Sequence, residues 1–124
     1  MHFDELIGLQ VDEMSDTEIR ARVDVRDELK QPFGLVHGGV YASIAESICS
    51  GATFMGVHAD GKTAQGLSNQ TSFLRPILEG TIHAHAVRKH KGRSTWVWEA
   101  EILDSEERLC ALAQMTIAIR PKPD

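Results

Sequence analysis

The chain has 124 residues, of which 42% are hydrophobic and 25% are charged, and its formal net charge is −5. This length predicts a single domain over residues 1–124 that buries about two-thirds of the surface its unfolded chain exposes. The acidic balance argues against general nucleic-acid binding, and no segment approaches the ~20 apolar residues that a membrane-spanning helix needs. The start of the chain, MHFDELIGLQ, lacks the features of a signal peptide, so we expect a cytoplasmic protein.

The first part of the chain predicts a short helix and one strand. Apolar residues near the start are spaced for an amphipathic helical turn: Phe3, Leu6, Ile7 and Leu9. Residues 17–25 then alternate between apolar and charged side chains, which is typical of a half-buried strand. Pro32 has no N–H to donate to a ladder, so a loop leads from this strand into the next element.

The only long helical pattern begins at the His37-Gly38-Gly39 sequence and runs to Phe54. Its apolar residues recur every three or four positions: Val40, Tyr41, Ile44, Ala45, Ile48, Cys49 and Ala52. The opposite face is predicted to be polar: Ser43, Glu46, Ser47, Ser50 and Thr53. Glu46 is the only charged residue on that face, whereas solvated faces usually carry several charges. We therefore expect another chain to cover this face and Glu46 to be functional.

Four more strands are predicted after the turn sequence HADGK, at residues 63–74, 81–90, 95–103 and 109–119. The last is apolar on nearly both faces, which favours a central strand covered on both sides. A single antiparallel sheet that buries one long helix is the simplest architecture for this order. One helix leaves much of such a sheet uncovered, so we expect a homodimer or a higher oligomer. Cys49 and Cys110 lie in apolar segments without C-x-x-C spacing, which predicts two buried free thiols.

Several polar residues have two interpretations on the sequence alone. His37 can be a general base, or its side chain can fix the loop by hydrogen bonding to the backbone. Gly38 can be a turn glycine, and its N–H at the helix N-terminus can also bind an oxygen that gains negative charge. The basic segment 88–93 can be a solvated hairpin tip or a phosphate site. His83, His85 and His90 have no acidic or cysteine cluster near them in the sequence, so we expect no metal site.

This order of elements, with H-G-G opening the helix and a carboxylate nine positions after the histidine, resembles the hotdog-fold acyl-CoA thioesterases. Within that class it resembles 4-hydroxybenzoyl-CoA thioesterase of the glutamate-dependent type, in the PaaI-like superfamily. The matching stretches are QPFGLVHGGVYASIAES, SNQTSFLRPILEG, HKGRSTWVWEAEI and RLCALAQMTIAIRP. The resemblance implies an α+β hotdog fold, in which a five- or six-stranded antiparallel sheet wraps one long central helix. It also implies a homodimer with shared active sites, assembled into a homotetramer.

The resemblance also assigns roles to individual residues. Glu46 corresponds to the nucleophile or general base, and Gly38 to the residue whose N–H binds the thioester carbonyl oxygen. Gln31 would help to orient that group, His37 would support the loop, and Ser50 would help to hold the hydrolytic water. Coenzyme A would be part of the substrate, so no metal or other cofactor is implied. Its contacts would be Arg93, Ser94 and Thr95, together with Lys91 and Arg75.

The sequence leaves two classes of acyl group open, aryl and medium-chain. This chain has Phe73 where a histidine can stand in the related menaquinone- and enterobactin-pathway thioesterases. Two other functions also stay open. A hotdog hydratase or dehydratase would need His37 as a base directed toward the acyl α and β carbons. A non-catalytic acyl-CoA binding protein would keep the basic loop and lose the carboxylate, which this chain retains.

Overall fold

The computed structural model describes residues 1–123, and in it one antiparallel sheet wraps a long helix. The helices are α1 (Phe3–Ile7) and α2 (Gly38–Val57), with single 3₁₀ turns at Asp27–Leu29 and His58–Asp60. The strands are β1 (Gln10–Met14), β2 (Glu18–Asp24), β3 (Lys62–Phe73), β4 (Thr81–Lys91), β5 (Thr95–Leu103) and β6 (Leu109–Pro121). Their order across the sheet is β1-β2-β4-β5-β6-β3. None of the helices described is both long and apolar enough to cross a membrane.

Helix α2 forms because its apolar residues make one continuous face, as the sequence predicts. The residues that face the sheet are almost fully buried: Ile44, Ala45, Ile48, Cys49 and Ala52. They pack against the inner faces of the strands, which supply the largest buried side chains: Trp96, Trp98, Ile102, Met115 and Ile117. The core therefore lies between one helix and the concave side of the sheet. Both cysteines are free and buried, which confirms that prediction.

The prediction that Thr53 belongs to the polar face of α2 is wrong. Thr53 is fully buried. Its Oγ1 donates to the carbonyl oxygen of Cys49 at 2.8 Å and accepts a hydrogen bond from Trp98 Nε1, also at 2.8 Å. A hydroxyl that is satisfied in both directions can be buried at little cost. Thr53 therefore joins the helix to the core of the sheet.

Two strands differ from the sequence prediction. The sheet has one strand more than the five located in the sequence. This additional strand is β1, which pairs antiparallel with β2 and has five exposed residues. The sequence analysis missed β1 because a strand that is exposed along its whole length has no alternation between buried and exposed residues. β6 lies between β5 and β3, but only its inner face is fully covered. On its outer face Gln114 is exposed, while Leu112 and Thr116 are partly buried.

Strand β3 lies at the edge of the sheet and runs beside α2. It pairs with β6, and its register shifts between Gly66 and Ser68, so that Leu67 occupies a bulge. Its other edge has no pairing partner among residues 1–123. This placement brings the polar middle of β3 next to the exposed face of α2.

Candidate active site

The Glu46 carboxylate lies between α2 and β3. A Cβ atom built on Gly66 of β3 would be 3.3 Å from Glu46 Oε2. The other oxygen, Oε1, lies 3.4 Å from Asn69 Nδ2, which also donates to the carbonyl oxygen of Ala42 at 2.9 Å. Thr71 Oγ1 donates to Asn69 Oδ1 at 2.6 Å and fixes the amide orientation. No lysine or arginine within residues 1–123 forms an ion pair with Glu46.

Asn69 and Gly66 are site residues that the sequence analysis did not identify. Both lie within or beside the stretch SNQTS, which supported the resemblance, but no role was assigned to either. A glycine inside a strand often marks a close approach of another group, and here that group is the Glu46 carboxylate. This signal was present at Gly66. Nothing local identified Asn69, because its contact with α2 depends on the fold.

The start of α2 presents a free N–H group at Gly38. His37 is the N-cap, and its Nδ1 accepts a hydrogen bond from Gly39 N at 2.8 Å. The first-turn N–H of Gly38 has no intrahelical acceptor, and the protein supplies no other acceptor within residues 1–123. A Cβ on Gly38 would lie 3.1 Å from Phe73 Cε1, so the ring packs directly against this backbone.

His37 therefore makes the loop-fixing hydrogen bond that was one of its two predicted roles. Because Nδ1 accepts from the Gly39 N–H, a neutral His37 ring carries its proton on Nε2. Gln31 has a similar local contact, since its Oε1 accepts from Phe33 N at 2.5 Å. Both side chains thus stabilise the loop that leads into α2.

Tyr41 packs beside this loop, with its ring centroid 6.2 Å from that of Phe73. Its hydroxyl is buried and has no hydrogen-bond partner among the residues described. Burial raises the pKa of Tyr41 to about 12, and the nearby Ile77 backbone opposes this shift only in part. The phenol is therefore protonated at neutral pH and cannot serve as a base there.

A single chain does not bring Gly38 and Glu46 together. They are eight residues apart on one straight helix, a separation of about 12 Å along its axis. Ser50 lies one turn beyond Glu46 and is partly exposed. One chain therefore holds a donor region, at His37 and Gly38, and a separate carboxylate region, at Glu46 and Asn69.

The predicted coenzyme A residues are also divided between two places. Lys91, Arg93, Ser94 and Thr95 lie at the β4–β5 hairpin, where Lys91 Nζ is 5.7 Å from the centroid of the Trp96 ring. Arg75 follows β3, and its backbone N–H donates to the carbonyl oxygen of Cys110 at the start of β6.

These two places lie at opposite ends of β6. Thr95 stands opposite Ala118 and Phe73 opposite Ala111, so the two ends are about 23 Å apart at the usual rise per residue. The structure does not bring Arg75 and the hairpin together within one chain.

Comparison with known proteins identifies the family. The model of a family described as the thioesterase superfamily matches residues 33–111. The chain belongs to this superfamily. A Mycobacterium tuberculosis protein that carries an esterase name is 38% identical over 117 residues, which cover 93% of this chain and 84% of that protein. The 1,4-dihydroxy-2-naphthoyl-CoA hydrolase of Escherichia coli is 33% identical over 113 residues, covering 91% and 82% respectively.

The crystal structure of a Haemophilus influenzae thioesterase superposes with a TM-score of 0.90 at 30% identity, covering 98% of this chain and 84% of that one. The predicted hotdog fold is thus confirmed. As a member of the thioesterase superfamily, the protein is a thioester hydrolase.

Proposed function

We propose that the protein hydrolyses acyl-CoA thioesters with an aryl or medium-chain acyl group, and that Glu46 is the nucleophile or the general base. The observation that carries this proposal is the Glu46 carboxylate itself. It is held by Asn69 against Gly66 and lacks a cationic partner within residues 1–123. A positioned carboxylate without a counter-ion is suited to attack or to proton abstraction. The related naphthoyl-CoA hydrolase supports coenzyme A thioesters as the substrate class.

The mechanism begins with the Gly38 N–H, which donates to the thioester carbonyl oxygen and stabilises the negative charge that develops on it. In one route Glu46 attacks the carbonyl carbon, the C–S bond breaks, and coenzyme A leaves as a thiolate. Water then hydrolyses the resulting mixed anhydride. In the other route Glu46 takes a proton from a water held near Ser50, and that water attacks. Both routes yield the free acid and coenzyme A.

Because Gly38 and Glu46 are about 12 Å apart along one helix, the proposal includes a site formed by two chains. The free edge of β3 offers a place for a second β3 strand to pair, which would lay the two α2 helices side by side. In such a dimer the Gly38 N–H of one chain approaches the Glu46 carboxylate of the other. A homotetramer of two such dimers is the assembly we expect, without metal or other cofactor.

The geometry at His37 supports hydrolysis over a hydratase reaction. A hydratase would need an unprotonated ring nitrogen directed at the substrate. The Nδ1 of His37 already accepts the Gly39 N–H, so the remaining nitrogen of the neutral ring carries the proton. His37 is therefore a support for the Gly38 loop.

The first test is Glu46→Gln, which keeps the size and removes the charge. We expect kcat to fall by at least ~10²-fold while acyl-CoA still binds, since this is the usual scale for losing an acid–base group. Glu99→Gln, an exposed glutamate on the outer face of β5, is the matched control and should turn over normally. The readout is free thiol released from a panel of acyl-CoAs. Near-normal turnover by Glu46→Gln would remove this residue from the mechanism.

The second test asks whether two chains share a site. Gly38→Pro removes the N–H, and Gly38→Ala keeps it while placing a similar Cβ against Phe73. Mixing Glu46→Gln chains with Gly38→Pro chains should restore up to one intact site of two in each heterodimer, and Gly38→Ala should be the more active of the two glycine variants. Heterodimers that form but regain no activity would show that both groups act within one chain.

A further inference from the structure

Helix α1 is held over α2 by contacts at both of its ends. At its start, Ser47 Oγ donates to Asp4 Oδ1 at 2.6 Å. At its end, the Arg26 guanidinium donates to the carbonyl oxygens of Leu6 and Ile7. Ile7 is the one buried residue of α1. A five-residue helix is not stable alone, so these contacts determine where α1 lies.

A cleft of about 520 Å³ runs between α1 and the first two turns of α2, within the usual range for small-molecule sites. Its apolar lining consists of Phe3, Leu6, Ile7, Leu29 and Val40. Phe3 and Leu6 are each 56% exposed, so part of each apolar side chain is open to a molecule in the cleft. A second recess, of about 230 Å³, contains Glu46 and shares Phe3 and Ser43 with the cleft. The cleft and the recess that contains Glu46 therefore adjoin at these two residues.

The charged side chains on the cleft wall are already paired. Arg26 binds the α1 carbonyl oxygens, and its Nε lies 3.6 Å from Glu28 Oε1. Lys30 Nζ lies 3.3 Å from Asp27 Oδ1, and His37 accepts a hydrogen bond from the first turn of α2. A molecule in the cleft thus meets apolar surface and no unpaired charge. This favours an apolar occupant, because burial of a charged or polar group there would cost free energy.

We infer that the cleft binds the acyl chain of the substrate and that α1 is its cover. This inference rests on the proposed function, since it places the thioester carbonyl at Glu46. From there the acyl chain of the substrate passes Phe3 and Ser43. It extends along α2 toward Gly39, about 10 Å from Glu46 along the helix axis. The substrate class is then straight-chain aliphatic acyl-CoA. Phe3, at the junction of recess and cleft, is the residue that determines which chains enter.

The test measures kcat/KM for straight-chain acyl-CoAs from acetyl to dodecanoyl. For the parent enzyme we expect a rise of about fourfold per added methylene until the cleft is full, as transfer of each CH₂ from water predicts. The double variant Phe3→Ala/Leu6→Ala should lose activity by a factor that grows with chain length and is smallest for acetyl-CoA. Phe3→Trp fills the junction of recess and cleft, so kcat/KM should stop rising at a shorter acyl chain than in the parent enzyme.

The matched control is Leu78→Ala. Leu78 has the same 56% exposure as Phe3 and Leu6 but lies in the loop before β4, so its variant should keep the parent profile. An equal loss at every chain length in the Phe3→Ala/Leu6→Ala enzyme would overturn the inference. So would an unchanged profile together with a changed oligomeric state by light scattering, because the cleft would then hold a second copy of the chain.

A binding measurement separates failure of this inference from failure of the proposed function. If the parent enzyme hydrolyses no acyl-CoA, the proposed function is wrong, but the cleft can still be tested. Octanamide, which carries no charge, should displace the uncharged fluorescent probe N-phenyl-1-naphthylamine from the parent protein. It should displace it from Leu78→Ala equally well and from Phe3→Ala/Leu6→Ala at least tenfold less well. Equal displacement from all three proteins would overturn the cleft as an apolar chain site.

Discussion

Gly66 provides a direct test of how the Glu46 carboxylate is positioned. A Cβ on Gly66 would lie 3.3 Å from Glu46 Oε2 and 3.5 Å from Cδ, so in Gly66→Ala the carboxylate must shift by a few tenths of an ångström. Since a misplacement of 1 Å costs about 10²-fold in rate, this shift should lower kcat by about fourfold. The branched side chain of Gly66→Val reaches further, and kcat should fall by about 10²-fold.

The free energy of unfolding of Gly66→Ala should increase although its kcat falls. Gly66 does not have a positive φ, so alanine fits its backbone, and replacing a strand glycine by alanine stabilises the fold by about 0.5–1 kcal/mol. For a chain of this size the midpoint of thermal unfolding should rise by about 2–4 °C. A variant that is more stable and less active cannot owe its loss of activity to unfolding.

The assay is steady-state release of coenzyme A thiol, measured beside thermal unfolding by circular dichroism. Gly51→Ala is the control, because no atom lies within 4 Å of a Cβ at that position. It should gain stability as a helix residue and keep its kcat. The reasoning would be refuted if Gly66→Ala and Gly66→Val both turned over at the parent rate, since Glu46 would then not depend on β3 for its position.

Three further predictions concern the coenzyme A loop and two buried polar groups. Combining Lys91→Ala with Arg93→Ala should raise KM for acyl-CoA with little change in kcat. The same double variant should hydrolyse a truncated thioester without the nucleotide as well as the parent enzyme does. Equal losses of activity on both substrates would show that the loop has a structural role. Thr53→Val leaves the Trp98 N–H buried and unpaired, which should cost about 1–3 kcal/mol in a urea titration, whereas Thr53→Ser keeps the hydroxyl and should lose less. Hydrogen bonds from the backbone and side chain of the following loop lower the pKa of Asp104. The ionised Asp104 carboxylate should therefore stabilise the fold fully above the ordinary aspartate pKa of about 3.9. This stabilisation should be lost as the pH falls through the lowered pKa of Asp104 in the folded protein. The difference in unfolding temperature between the parent and Asp104→Asn should shrink in that range, and a difference that persists to the lowest pH would contradict this assignment.

The sequence predicted the elements whose burial alternates with a regular period. Helix α2 and the strands β2, β4 and β5 were located this way, because each has one apolar face against the core. β6 was located by its nearly continuous apolar residues, and β3, which is less regular and has no buried residue, by the turn signals on either side of it. β1 was missed since all of its residues are exposed. Thr53 was misplaced because residue type suggested a polar face, whereas its two hydrogen bonds allow it to be buried.

The candidate site was only partly predictable, because it depends on contacts between distant segments. Glu46 could be identified as the one charge on its helix face. Asn69 could not, since its role follows from β3 lying beside α2. Arg75 was grouped with the hairpin residues by sequence resemblance, but the register of β3 on β6 places it at the other end of the sheet from Thr95.

The pairing of β3 with β6 also has a consequence for the order of folding. Lys62 stands opposite Pro121, so β3 completes its ladder only when the last strand of the chain is available. During synthesis, which adds about 5–20 residues each second, the N-terminal segments emerge first. The strand that supports the Glu46 carboxylate must therefore wait for the C-terminal segment before it can join the sheet. Contacts of such long range also slow folding in isolation, so the carboxylate site is complete only after the whole chain has been made.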